Sequence, residues 1–228
     1  MKYSFILLSA GKGTRFGKEV PKQYLPFGGK PMIVHTLERI DKIEKIEDVV
    51  VVCNEEYIEV IKNYASKYKL AKNIKFCIGG STRQESVYNG LKVASNDRII
   101  LHEAARPLVS KKDFLDLIEC SYENVTYAYS IPYTVLKKDS DGFVSDVLER
   151  KELINIQLPQ KFVKEILIKC HEKAVLEGKT FTEDAGMLYY YLGERVFCLQ
   201  GNANNIKITE YVDLLYGETL YQDGFFKE

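Results

Sequence analysis

The chain predicts an α/β fold: a single domain with a mostly parallel sheet covered by helices, interrupted by a β-hairpin. Three observations carry this. Short apolar runs alternate with helical patterns along most of the 228 residues. One run, Val49-Val50-Val51-Val52, is apolar at every position, which suits a strand buried on both faces of a parallel sheet. The alternation breaks once, near Pro132, where two short strand-like segments flank the polar turn Asp139-Ser140-Asp141-Gly142.

Taken in order, Phe5 to Leu8 reads as the first strand. It ends in a loop with glycines at 11, 13 and 17, where Pro21 interrupts any helix. Met32 to Ile43 reads as a helix entered by Pro31. Val49 to Val52 is a strand, Tyr57 to Tyr68 a helix and Ile74 to Ile78 a strand. Ser81 to Ala94 is a helix, with Ser81 and Gln84 spaced as a capping box. Arg98 to Leu101, Ser110 to Cys120 and Val125 to Ile131 continue as strand, helix and strand. Thr134 to Lys138 and Phe143 to Leu148 form the hairpin, too thin in apolar residues to stand alone, so it should pack on something, a second subunit included. Phe162 to Glu177 and Thr182 to Leu192 are helical, Val196 to Leu199 is a strand, and a last helix begins at Thr209. Ligands of such a fold bind at the carboxyl ends of the strands.

Lysine plus arginine and aspartate plus glutamate number 32 each, so no general basic field exists for nucleic acid or a membrane surface. Any anion site must be a local cluster. No stretch is long and apolar enough to span a membrane. The N-terminus shows no signal-peptide pattern, and the five cysteines include no C-x-x-C spacing. The expectation is a reduced, cytoplasmic protein with core cysteines.

Five segments place polar chemistry at the ends of apolar runs. The first is Ala10-Gly11-Lys12-Gly13-Thr14-Arg15-Phe16-Gly17 with Pro21-Lys22-Gln23-Tyr24. Glycines let backbone N–H groups approach a ligand, and Lys12, Arg15 and Lys22 make that ligand an anion; phosphate is the obvious candidate, and a triphosphate would need several cations. The spacing is neither a dinucleotide fingerprint nor a Walker loop. The second is Gly79-Gly80-Ser81-Thr82-Arg83-Gln84-Glu85-Ser86, where glycines meet a helix N-terminus, a place for nucleobase edges and anions. The third is His102-Glu103-Ala104-Ala105-Arg106-Pro107, with Glu103 a candidate Mg²⁺ or ribose ligand. The fourth is Asn202 to Thr209, in which Lys207 ends a short strand and Asn204 offers a second oxygen to a metal, or simply an Asn-rich turn. The fifth is Phe181-Thr182-Glu183-Asp184-Ala185, which reads as ordinary capping by Thr182 with acids in the first turn.

Together these segments resemble the 2-C-methyl-D-erythritol 4-phosphate cytidylyltransferases and the related ribitol 5-phosphate cytidylyltransferases. The resemblance runs through Ala10-Gly11-x-Gly13-x-Arg15, Pro21-Lys22-Gln23-Tyr24, Gly79-Gly80-x-x-Arg83-Gln84-x-Ser86-Val87, His102-x-Ala104-Ala105-Arg106-Pro107, Pro159-Gln160 and Asn205-Ile206-Lys207-Ile208-Thr209. It implies a Rossmann-like three-layer α/β/α nucleotidyltransferase sandwich over residues 1–228, with an arm at roughly 133–150 that makes a homodimer and reaches over the partner's site. It implies CTP-dependent transfer of CMP to a polyol phosphate, with release of pyrophosphate and Mg²⁺ as cofactor. By resemblance Arg15, Lys22 and Lys207 are catalytic. Ala10, Gly11, Lys12, Gly13, Gly80, Arg83, Ser86 and Ala104 bind the nucleotide, and Arg150, Arg106 and Thr182 hold the acceptor. Glu103 and Asn204 are the metal ligands.

The chain departs from the family's usual residues at four places. Glu103 and Asn204 stand where Asp is usual, Tyr133-Thr134-Val135 where Arg-Asp-Thr is, and Leu158-Pro159-Gln160 where Thr-Pro-Gln is. The CTP half of the site therefore matches better than the acceptor half. The preferred acceptor is 2-C-methyl-D-erythritol 4-phosphate; the alternatives are another polyol phosphate such as ribitol 5-phosphate, or an inactive nucleotide-binding relative.

Overall fold

The computed structural model describes residues 1–11 and 20–224. Strand β1 (Tyr3–Leu8) leads through a small hairpin, β2 (Pro26–Phe27) and β3 (Lys30–Pro31), into helix α1 (Met32–Asp41). Then follow β4 (Ile46–Cys53), α2 (Ile58–Lys67), β5 (Asn73–Ile78), α3 (Arg83–Val93), β6 (Arg98–Glu103), α4 (Lys111–Glu119) and β7 (Val125–Ser130). The arm is β8 (Leu136–Lys138) and β9 (Val144–Val147), an antiparallel pair outside the main sheet. The chain ends with β10 (Ile154–Val163), α5 (Lys164–Leu176), α6 (Asp184–Leu192), β11 (Phe197–Gln200) and α7 (Tyr211–Gln222).

Among the described residues the main sheet has seven strands in the order β11-β7-β10-β6-β1-β4-β5. β1 pairs in parallel with β4 and β6, β4 with β5, and β11 with β7. Only β10 runs antiparallel, to both of its neighbours. The sheet grows from β1 toward β5 on one side, then the chain crosses to β6 on the other. That reversal is a topological switch point, and it opens a crevice at the carboxyl ends of β1 and β6.

Alternation along the strands explains the two layers of helices. Phe5, Leu7, Val49 and Val51 face α1, α2 and α4, while Ile6, Val50 and Val52 face α3, α5 and α6. A third, smaller cluster seats α7 on Phe27, Met32 and Leu108. In α3, Gly90 lets the helix lie directly on β1 and β4: a Cβ there would sit 2.8 Å from Ile6 Cγ2.

Four local expectations are corrected. Residues 154–163, unassigned from sequence, form a ten-residue strand, and the helix begins at Lys164, not Phe162. Pro159 lies within that strand after a cis peptide bond, and half of the strand's buried residues are polar: Gln157, Gln160 and Lys161. The cap of α3 is Thr82, whose hydroxyl accepts from Glu85 N, not Ser81. Gln84 instead reaches across to Lys179 O and Phe181 N. The cap of α6 is Glu183, not Thr182; its carboxylate accepts from the N–H groups of Ala185 and Gly186. Lys207 sits in no strand, and α7 begins after Thr209 and Glu210, whose N–H groups both donate to Asp213 Oδ2.

Candidate active site

The strand ends at the switch point surround a cleft of about 550 Å³, within the range of small-molecule sites. Leu8, Ser9, Ala10 and Gly11 line it from the end of β1, Asn54 from the end of β4, and Glu103 and Ala105 from the end of β6. Gly80, Ser81, Thr82, Arg83 and Ser86 bring the N-terminus of α3 to it. Lys22, Gln23, Lys207 and Thr209 complete the wall.

The β1 loop is pinned where it meets the cleft. Gln23 Nε2 donates to Ser9 O at 2.6 Å and to Gly11 O at 3.0 Å, and the Ser9 hydroxyl is held by Tyr24. Gln23 and Tyr24 thus hold the loop's backbone while Lys22, just before them, faces the cleft. On the opposite wall, Ser86 Oγ accepts from Gly80 N at 3.0 Å and donates to Thr82 O at 2.9 Å. Gly79 must be glycine, because a Cβ there would overlap that of Ala10 and close the two loops on each other.

Glu103 is the electrostatic centre. Its Oε1 accepts from Arg83 Nε at 3.2 Å, and its Oε2 lies 2.9 Å from Lys207 Nζ and 3.7 Å from Arg106 Nε. Burial pushes its pKa up, but Lys207, Arg83 and Arg106 together overcome that and hold it at about 2. Arg83 also donates from Nη1 to Asp184 Oδ2 at 2.7 Å. The cluster of Arg83, Arg106, Lys207, Glu103 and Asp184 therefore carries one net positive charge, with Lys22 across the cleft. His102, one residue before Glu103, is fully buried and held near pKa 3 by desolvation, so it is a neutral structural group.

The structure gathers Ala10, Gly11, Lys22, Gly80, Arg83, Ser86, Glu103 and Lys207 around one cleft. Lys12, Gly13 and Arg15 lie outside the described residues. Ala104 is completely buried, its N–H donating to Leu8 O, and Ala105 faces the cleft in its place. Arg106 does not line the cleft: its Nη1 donates to Asn205 O at 2.8 Å and holds the 202–209 segment against β6. Thr182 is exposed outside the cleft wall. Asn204 is also outside it, its N–H donating to the Asn202 side chain in the turn that the bland reading anticipated. Arg150 is exposed, with Nη1 3.3 Å from Pro132 O, and does not line its own chain's cleft. Leu158 is a core residue whose carbonyl accepts from Asn205 Nδ2 at 2.7 Å. Gln23 belongs to the first segment read from the sequence; Asn54 and Asp184 were missed. Asp184 carried no distinguishing signal, since an acid in a first helical turn is ordinary.

Mg²⁺ binds through one or two carboxylates with substrate phosphates and water. Glu103 supplies one such carboxylate and is the acidic side chain among the described cleft-lining residues. No group of three or more His, Cys, Asp or Glu able to hold a metal alone exists among the described residues. Glu103 is the carboxylate through which this cleft could hold Mg²⁺ together with substrate phosphates.

Comparison with known proteins follows the same line. The family model IspD, 2-C-methyl-D-erythritol 4-phosphate cytidylyltransferase, matches residues 4–223. A 2-C-methyl-D-erythritol 4-phosphate cytidylyltransferase of Clostridium botulinum (strain 657 / Type Ba4) is 38% identical over 97% of this chain and 98% of its own. One of Caldanaerobacter subterraneus subsp. tengcongensis is 36% identical over 96% of this chain and 98% of its own. The crystal structure of 4-diphosphocytidyl-2C-methyl-D-erythritol synthase from Anaerococcus prevotii superposes with a TM-score of 0.86 at 27% identity, covering 97% of this chain and 96% of that one. With the cleft, its cation cluster and a match over nearly the whole length in agreement, the chain belongs to the 2-C-methyl-D-erythritol 4-phosphate cytidylyltransferase family.

Proposed function

We infer that this chain transfers CMP from CTP to 2-C-methyl-D-erythritol 4-phosphate and releases pyrophosphate, a step toward isoprenoid precursors. The observation that carries the reading is the cluster at the switch point, where Lys207, Arg83 and Arg106 converge on one carboxylate and leave net positive charge facing Lys22. An acceptor phosphate oxygen attacks the α-phosphorus of CTP; the bond to the pyrophosphate oxygen breaks, and pyrophosphate leaves. The nucleophile is already ionised near neutral pH, so no protein base is required. What remains for the protein is to bring two polyanions together and to stabilise the charge of the pentavalent phosphorus.

Residues of the cleft divide accordingly. Lys22 faces the triphosphate, and Lys207 exchanges its ion pair with Glu103 for the acceptor phosphate. Ser86 has committed its proton to Thr82 O, so its remaining capacity is as an acceptor. An acceptor at that point suits the amino group of cytosine and not the carbonyl of uracil. Mg²⁺ held by Glu103 would neutralise part of the triphosphate charge.

The arm completes the proposal. Leu136, Phe143, Val144 and Val147 are exposed on a two-stranded ribbon that has little to stabilise it alone. Docking on a second copy would cover them, and would carry Arg150 toward the partner's cleft. The five cysteines form no disulfide, and no helix among the described residues is long and apolar enough to cross a membrane; both fit a cytoplasmic enzyme.

The test is pyrophosphate release from CTP, ATP, GTP and UTP against 2-C-methyl-D-erythritol 4-phosphate, ribitol 5-phosphate and other polyol phosphates. CTP with the first acceptor should dominate and should fail in excess EDTA. Equal turnover of all four nucleotides would refute the base assignment. Faster turnover with ribitol 5-phosphate would move the enzyme to the other branch, and no turnover with any acceptor would make it an inactive binder.

A further inference from the structure

We propose that Asp184 is a positioning residue for the transfer reaction, acting through Arg83; this rests on the cytidylyl-transfer reading above. The carboxylate has no helical task to explain it. Capping of α6 is done by Glu183, which accepts from the N–H groups of Ala185 and Gly186. Asp184 instead turns inward and is 1% exposed. Taking a carboxylate out of water is expensive and is tolerated only with strong partners. Asp184 has two: Arg83 Nη1 at 2.7 Å on Oδ2, and His171 Nε2 at 3.1 Å on Oδ1. His171 is itself buried and stacks on Tyr88 of α3 at a centroid distance of 5.7 Å.

The consequence falls on Arg83. Its guanidinium is held by two carboxylates from different elements, Glu103 at the end of β6 through Nε and Asp184 on α6 through Nη1. A planar fork fixed at two of its three nitrogens has one orientation. The third nitrogen, Nη2, is buried and has no hydrogen-bond partner among the described residues, although Arg83 lines the cleft. That unpartnered edge is the donor left for a phosphate oxygen of the bound nucleotide. Asp184 also sets how much of Glu103 the arginine claims. Without the Asp184 charge, Arg83 would draw fully onto Glu103, in competition with Lys207 and Arg106 and with a cation brought by the substrate.

A double-mutant cycle on the full-length chain tests this, read as kcat/KM for CTP with the acceptor saturating. Wild-type turnover checks the function reading by itself; the ratios among variants check the proposal. Asp184→Asn should lower kcat/KM tenfold or more while circular dichroism and the urea midpoint show a folded protein. Arg83→Lys should give a comparable loss, because an ammonium cannot span both carboxylates. The double variant should be no worse than Arg83→Lys alone. Losses that multiply in the double variant, or an Asp184→Asn variant that is less stable yet fully active well below its midpoint, would overturn the proposal. Should Asp184→Asn fail to fold, His171→Gln takes its place: it loosens Asp184 without removing it. Its smaller loss must vanish in the Arg83→Lys background, and persistence there would equally overturn the assignment.

Discussion

Lys22 lines the cleft but sits on a segment whose neighbours, Gln23 and Tyr24, do the structural work of holding the β1 loop. Removing its ammonium should therefore leave the fold intact and act on charge that develops in the transition state. Lys22→Ala should lower kcat by about 10²–10³, equivalent to about 2.7–4 kcal/mol, with a much smaller rise in KM for CTP. Steady-state kinetics check this, and a variant with normal kcat and raised KM would reassign Lys22 to ground-state binding. Glu103 differs because it is a shared partner. Its pKa falls from 4.5 in the unfolded chain to about 2 in the fold. A depressed carboxylate contributes stability above the unfolded value, and that contribution is lost as pH falls from about 4.5 through about 2. The difference corresponds to about 3 kcal/mol at neutral pH. Glu103→Gln should thus be both inactive and less stable by about that amount in urea unfolding at pH 7. The gap from wild type should shrink as pH is lowered toward 2. A constant gap at every pH would show that the carboxylate charge is not what the cations require.

Among the elements, α3 joins fold and site, since its N-terminal turn forms one cleft wall and its middle packs on the sheet. Gly90 sets how closely it packs. Alanine is better than glycine in a helix by about 1 kcal/mol, but its Cβ would lie 2.8 Å from Ile6 Cγ2 and 3.0 Å from Val52 Cγ2. Overpacking of this kind costs about 1–3 kcal/mol, so packing outweighs propensity. Gly90→Ala should be destabilised by up to about 2 kcal/mol in urea unfolding, and a gain in stability would mean the sheet yields freely. Elements of this kind were legible because their inward residues are apolar: Val49 to Val52 and the α3 stripe of Val87 and Leu91 announce themselves. β10 was not legible, for the opposite reason. Its buried residues include Gln157, Gln160 and Lys161, each donating hydrogen bonds to atoms far away in sequence. Gln157 serves Asn202 O and Asn205 O, Gln160 serves Thr126 and Glu183, and Lys161 serves Cys120 O. Periodicity detects oil, not partners, and Pro159 within the run argues against a central strand. The same blindness hid Asp184, whose burial is set by Arg83 about a hundred residues earlier in the chain. The cleft, by contrast, was legible in outline because glycines and cations at strand ends are local signals, as at Gly79-Gly80 and Lys22.

At the scale of the whole molecule the open matter is how the arm relates to the cleft. Arg150 follows β9 and does not line the cleft of its own chain, and the arm's apolar side chains are exposed. An isologous pair would resolve both: with each arm across the two-fold axis, each site would take Lys22 from one protomer and Arg150 from the other. Lys22→Ala and Arg150→Ala homodimers should then each be nearly inactive. Co-folding the two variants in equal amounts makes about half the dimers mixed. In a mixed dimer one site carries both lesions and the other carries neither, so activity should return to about one quarter of wild type. Differently tagged chains and tandem purification establish that mixed dimers formed. If such dimers stay inactive, Arg150 serves its own chain or no site at all. If the Arg150→Ala homodimer is active from the start, the acceptor phosphate is held by Lys207 alone. A monomer at working concentration, seen by sedimentation together with full activity, would remove the arm from catalysis altogether and leave Leu136, Phe143, Val144 and Val147 exposed for some other partner.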